Sequence, residues 1–185
     1  MAKKLTVGDM MPNFIFNTGW KTGQSVSDEV KKADKTVFWV LRYIGCTNCR
    51  LDIEFIKQDY DRFREKNAQV YVVMQSDQDH IKNDLKEESA LPFEIICDNK
   101  LEIYKELVIE AASSMKELIP DDIRPMLQAK ADIKKKYGIV HGDYEGIEEQ
   151  LPAMFITDST GKIVYSHYAQ NLADMPTVEE VLELL

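Results

Sequence analysis

Six consecutive β-branched or large apolar residues, Thr36, Val37, Phe38, Trp39, Val40 and Leu41, run almost directly into Cys46-Thr47-Asn48-Cys49. An uninterrupted run of this kind suits a strand covered on both faces, because an edge or half-exposed strand alternates apolar with polar residues. Beyond it, Cys49, Ile53, Ile56, Tyr60 and Phe63 recur at steps of four, three, four and three. That spacing predicts one helical stripe, with the helix ending near Asn67. The two cysteines therefore fall where a buried strand gives way to a helix, which constrains both the fold and the chemistry.

The remaining chain repeats the alternation. Residues 69–74 (QVYVVM) and 93–97 (FEIIC) read as further central strands, and 13–16 as a short one. Gly19 to Gly23 reads as a turn. Ser27 is the expected cap of a short helix through Lys32, and residues 77–88 and 100–107 read as helices. Residues 153–156 (AMFI) and 162–167 (KIVYSH), joined by Asp158-Ser159-Thr160-Gly161, predict a hairpin. Thr177 followed by Glu180 opens a last helix with a capping box, with Val178, Val181, Leu182 and Leu185 inward. Residues 108–150 fit no simple alternation: 111–118 and 126–137 look helical, with two prolines between. The expected architecture is α/β, a single domain over 1–185. It has three layers and a mixed central sheet with helices on both faces, and 108–150 is a helical insertion before the C-terminal hairpin.

A chain of 185 residues can bury a core without disulfide staples. Its net charge of −9 argues against nucleic acid or an anionic membrane as partner. No stretch approaches the 18 or so apolar residues of a membrane span, and no apolar run follows Lys3 and Lys4, so a cytoplasmic protein is expected. Three cysteines, an odd number in a reducing compartment, favour a redox or metal role for the close pair over a structural framework.

At a strand-to-helix junction a thiolate faces unpaired N–H groups and the positive end of the helix dipole. Both lower its pKa, and Arg42 and Arg50 add positive charge nearby. Cys49 begins the apolar stripe and should point inward, while Cys46 lies one turn earlier, where side chains tend to be exposed. Residues i and i+3 are neighbours, so the pair can close a disulfide, Cys46 attacking and Cys49 resolving. Two other readings stand beside this. CxxC can be half of a zinc site, but Cys97, His80, His141 and His167 offer no second knuckle, so no metal and no cofactor is expected. Two cysteines that merely pack would suit mid-strand better. Cys97 reads as a small buried hydrophobe, the three histidines carry no assigned role, and the lysines of KADIKKKYG read as a solvated face. Pro152, at the start of a strand, reads as an ordinary trans proline, and a cis bond there would free the preceding backbone for a substrate.

Strand, CxxC at a helix start, strand, helix, then proline, hairpin and final helix together resemble the thioredoxin fold. LRYIGCTNCR, QLPAMFITDSTGKIVYSH and MPTVEEVLELL are similar to the CxxC-bearing, peroxiredoxin-like 2 type branch of the AhpC/TSA proteins, and VGDMMPNFIF to the start of many redoxins. The resemblance implies a cis Pro152 facing the CxxC, catalytic Cys46 and Cys49, and support from Thr47, Asn48, Arg42, Arg50 and Pro152. With Cys49 set at the peroxide-attacking cysteine of typical peroxiredoxins, Cys46 replaces their threonine, Arg42 their proline and Pro152 their late arginine. These departures count against fast peroxide reduction. The leading expectation is a thiol–disulfide oxidoreductase cycling Cys46 and Cys49. The alternatives are a thiol peroxidase with Cys49 attacking and Cys46 resolving, and a non-enzymatic redox-sensing or metal-binding module. Expected partners are a disulfide or peroxide substrate and a thiol electron donor, and the insertion is compatible with a homodimer contact.

Overall fold

The computed structural model describes residues 3–185. Seven strands form one sheet: β1 (Ile15–Thr18), β2 (Gln24–Ser25), β3 (Lys35–Val40), β4 (Ala68–Met74), β5 (Glu94–Cys97), β6 (Ala153–Asp158) and β7 (Ile163–Tyr168). Their order is β2-β1-β5-β4-β3-β6-β7. β3, β4 and β5 run parallel, while β6 and β7 on one side and β1 and β2 on the other add antiparallel pairs. The central strands are continuous apolar runs because each face is covered. Val37 and Trp39 of β3, Val70 and Val72 of β4 and Met154 and Ile156 of β6 share one core. Phe38, Val40, Tyr71, Val73 and Phe155 alternate into the other.

Helices α1 (Val26–Glu29), α2 (Thr47–Gln58), α3 (Tyr60–Glu65), α4 (Gln78–Leu85), α5 (Glu102–Glu106), α6 (Met115–Leu118), α7 (Arg124–Lys136) and α8 (Val178–Leu184) complete the layers. α2, α3 and α8 supply the first core through Cys49, Ile53, Ile56, Phe63, Val181 and Leu182; α1 and α5 supply the second through Val26, Ile103 and Tyr104. This is the three-layer thioredoxin-type α/β arrangement.

Four local expectations are corrected. Ser25, not Ser27, caps α1, its hydroxyl accepting from Asp28 N. The stripe from Cys49 to Phe63 belongs to two helices, because Asp59 (φ −100°, ψ 8°) ends α2 and starts α3, and Tyr60 and Phe63 still reach the same core. Residues 111–118 are not one helix. Ala111 bridges Gln150, and only Met115–Leu118 is helical, capped by Ser114, whose side chain accepts from Glu117 N. The Leu151–Pro152 bond is trans. The preceding backbone is already engaged, since Leu151 N donates to Glu110 O at 3.3 Å and Ala112 N to Glu149 O at 2.9 Å, so it is not free to pair with a substrate. The capping box at Thr177 and Glu180 is present.

Candidate active site

The parallel neighbour β4, the residues that follow it and one buried tyrosine fix the segment that leaves β3. Leu41 N donates to Val73 O and Gln75 N donates to Arg42 O, while Tyr104 Oη donates to Leu41 O at 2.6 Å. Ile44 N then donates to Ser76 Oγ at 2.9 Å. Cys46 N donates to Tyr43 O and Arg50 Nε to Ile44 O, so the six residues from Leu41 to Cys46 are tied at nearly every turn. The β3 register pairs Val40 with Ala153, which sets Pro152 beside this exit.

Cys46 is the N-cap of α2, with extended backbone (φ −73°, ψ 123°), and its Sγ accepts from Cys49 N at 3.5 Å. A sulfur thus occupies the place where serine or aspartate oxygens usually satisfy the first N–H groups of a helix. Both thiols are free and both are 2% exposed. The expectation of an exposed Cys46 is therefore corrected, and the cause is the insertion. Gly142 N donates to Gly45 O at 2.9 Å, and the two backbones pass so closely that a Cβ on Gly45 would collide with the Asp143 carbonyl. Beside them His141 meets the Tyr43 ring edge-on and Tyr144 lies tilted against it, the His141 Nε2–Tyr43 Oη distance being 3.3 Å. Gln75 holds this cover through Ile147 N and O, and Ser76 Oγ donates to Glu145 Oε2 at 2.7 Å.

The two thiols are unequal. Cys46 is lowered to about 6, first by the Cys49 thiol donating to it, then by the buried Arg42 guanidinium and the N–H groups of Cys49 and Asn48, against its own burial. Cys49 is raised by burial and by the charge on Cys46. Arg42 packs its guanidinium 5.2 Å over the Tyr43 ring and donates to Tyr43 Oη at 3.3 Å, which leaves its charge available to the sulfurs. Arg50 is differently placed: it pairs with Asp84 and binds the Ile44 carbonyl, so it is mainly a strut of the loop. Thr47 Oγ1 lies 3.4 Å from Lys134 Nζ, and Asn48 Oδ1 is buried without a partner among the described residues.

Three residues near the site carried no role in the sequence. Asp52 lies one turn beyond Cys49 on α2, beside a cavity of about 300 Å³ lined also by Trp39, Phe55, Lys130 and Met175. Burial pushes its carboxyl up to about 7. An acid next to a helical apolar stripe is the signal that would have marked it. His141 is flanked by Gly142, and a glycine facing Gly45 is the trace of their close approach. His80 is bound to Asp77 at 2.9 Å and to Glu145 at 3.2 Å; these three bring ligand-type atoms within 4.8 Å of one another, and neither cysteine of the pair belongs to the group. Cys97 is partly buried and its thiol is pushed up to about 12 by burial, which makes it a poor nucleophile.

A low-pKa sulfur capping a helix, a buried partner one turn on, and a thioredoxin-type sheet that holds both define a thiol redox protein. The AhpC/TSA family model matches residues 7–166, and the chain belongs to that family. It is thus an oxidoreductase acting on peroxides or disulfides. No curated protein sequence matches it. Among solved structures it is similar to a cysteine-to-serine variant of peroxiredoxin 6 from Arenicola marina, with a TM-score of 0.69 and 14% identity over 96% of this chain and 70% of that one. A yeast mitochondrial 1-Cys peroxiredoxin follows at 0.64, with 15% identity over 96% and 73%. Reduced 2-Cys peroxiredoxin of Plasmodium vivax is similar at 0.64, with 16% identity over 95% and 78%. At these identities the likeness is one of fold. Among the described residues no helix is long and apolar enough to cross a membrane.

Proposed function

We propose that the chain is a thiol–disulfide oxidoreductase in which Cys46 attacks and Cys49 resolves. The observation that carries this reading is the inequality of the two sulfurs: Cys46 is the one stabilised as thiolate, and Cys49 the one held neutral by burial. The thiolate of Cys46 attacks one sulfur of a substrate disulfide, forming a mixed disulfide and expelling the other half as a thiolate. Cys49 then loses its proton and attacks the Cys46 sulfur, closing the intramolecular disulfide and releasing the second substrate thiolate. The substrate gains two electrons, the dithiol loses two electrons and two protons, and an external thiol donor reverses the change. Arg42 offsets the negative charge that passes between the sulfurs, and Thr47 and Asn48 belong to the first helical turn that caps it.

Family membership favours a second reading, in which a peroxide is the oxidant. Cys49 would then attack the peroxide and form a sulfenic acid with release of an alcohol or water, and Cys46 would condense with it, expelling water. The yeast relative's described coupling to glutathione and thioredoxin systems makes such thiols the reductants to try on this chain. A homodimer and a cytoplasmic location remain part of this proposal.

The reduced protein, Cys46→Ser and Cys49→Ser are mixed in turn with a disulfide substrate and with hydrogen peroxide. The expected result is a mixed disulfide trapped by Cys49→Ser, none formed by Cys46→Ser, and peroxide oxidation no faster than that of an ordinary thiol. Rapid peroxide oxidation that needs Cys49 and survives Cys46→Ser would sink the assignment and make Cys49 the attacking residue.

A further inference from the structure

The segment KADIKKKYG places four lysines on α7, a run whose ordinary reading is a solvated face. The fold does not treat them alike. Lys135 and Lys136 are exposed, whereas Lys134 is half-buried with its Nζ 3.4 Å from Thr47 Oγ1, over the first turn of α2. It makes no ion pair among the described residues, in contrast to Arg50, whose guanidinium is taken by Asp84. A half-buried ammonium with no carboxylate partner is unfavourable unless another negative charge faces it. The groups that face Lys134 are Cys46, Cys49 and Asp52 of α2 and Lys130 one turn back on its own helix. Burial works against its charge, and the Cys46 sulfur is the strongest influence in its favour. Burial raises the Asp52 carboxyl to about 7, so near neutral pH it carries only part of a charge and stands second to Cys46 as a counter-charge for Lys134.

We propose that Lys134, carried by the insertion, is a third cation of the dithiol site, a positioning residue that favours the Cys46 thiolate and draws anionic reagents towards it. The proposal rests on Cys46 being the reactive thiol. It gives the insertion a chemical role, because α7 brings to the first turn of α2 a positive charge additional to that of Arg42. Arg42 acts from below, within the core, and Lys134 from the solvent side of the same turn.

The test follows the ultraviolet thiolate absorbance of the reduced protein against pH in wild type, Lys134→Met, Lys134→Arg and Lys136→Met. Each is also alkylated with iodoacetate, which is anionic, and with iodoacetamide, which is neutral. In Lys134→Met the thiolate titration is expected to move up by a fraction of a pH unit, a roughly twofold smaller thiolate-to-thiol ratio near the midpoint. The iodoacetate-to-iodoacetamide rate ratio should fall several-fold. Lys134→Arg should restore both, and Lys136→Met should leave both unchanged. A charge effect of this sort is not reproduced by loosened packing, which would speed both reagents together. If Lys134→Met and wild type superimpose while wild type keeps a low-pKa thiol, Lys134 is a solvated lysine and the proposal falls alone. A wild-type protein with no thiolate near pH 6 overturns the Cys46 assignment, and this proposal with it.

Discussion

The strand–helix junction at 41–49 and the insertion at 108–150 meet over the same two sulfur atoms, yet they are built on opposite terms. The junction is buried from Leu41 through Cys46 and bonded to β4, the segment that follows it, and Tyr104. α7, the longest helix of the insertion, buries none of its residues, and Met126 and Ile133 stand exposed. Packing and backbone bonding make a segment rigid, and their scarcity lets it open locally at small cost. The reacting atoms and the Arg42 charge beside them therefore sit on the stiff element, while residues that cover them sit on the loose one.

The largest expected effect tests the stiffness of one side against the other. Ile56, fully buried on α2, should lose about 2–5 kcal/mol of stability on replacement by alanine. Met126→Ala on α7 should stay within about 0.5 kcal/mol. Chemical denaturation of the two variants checks this. Equal losses would mean that the insertion is an integral part of the core, and the comparison would fail.

Gly45→Ala acts on the contact between the two regions. The new methyl meets the Asp143 carbonyl, and because residues 41–46 are held on several sides, the cover should yield rather than the junction. Alkylation of Cys46 by iodoacetamide should then accelerate by about tenfold, equivalent to some 1.4 kcal/mol on the closed state. The denaturation midpoint should change little. An unchanged alkylation rate would show that the cover does not limit access.

The same contrast explains what could be read without coordinates. The apolar runs 36–41, 69–74 and 93–97, the hairpin and the Thr177 capping box all express a single local rule each, and each lies within a residue or two of its observed place. Asp59 divides a stripe that remains continuous because α2 and α3 share one core, so periodicity alone could not reveal the break. The position of the cysteines was legible from the junction. The inward placing of Cys49 was legible from the stripe, but the burial of Cys46 was not, since it depends on Gly142 meeting Gly45 from a distant part of the chain. Lys134 likewise differs from Lys135 and Lys136 only by the direction in which a helix face turns. Pro152 followed ordinary trans geometry, and the backbone before it is satisfied by residues 110–112, a pairing that only the folded insertion supplies.

The smallest expected effect concerns how the cover is fastened. His80 of α4 faces Asp77, the N-cap of its helix, at 2.9 Å, Glu145 of the cover at 3.2 Å and Asp143 at 3.8 Å. Its pKa is raised, first by the bond to Asp77 and then by the two carboxylates of the cover, against some burial. A histidine whose folded pKa exceeds its unfolded value stabilises the fold fully below the unfolded value near 6.5. That stabilisation is lost as pH rises through the folded value, so the fastening weakens on the alkaline side. His80 and its partners are partly exposed, which limits the effect to about 0.2–1 kcal/mol. Cys46 gains thiolate over the same direction of pH, since its titration is centred near 6. Alkaline conditions should therefore loosen the cover and charge the nucleophile together. Amide hydrogen exchange over 139–147, corrected for the intrinsic rise with pH, should show lower protection above neutrality in wild type and no such change in His80→Ala. Protection in wild type that is independent of pH would detach the two regions and leave Cys46 as the sole source of pH dependence at the site.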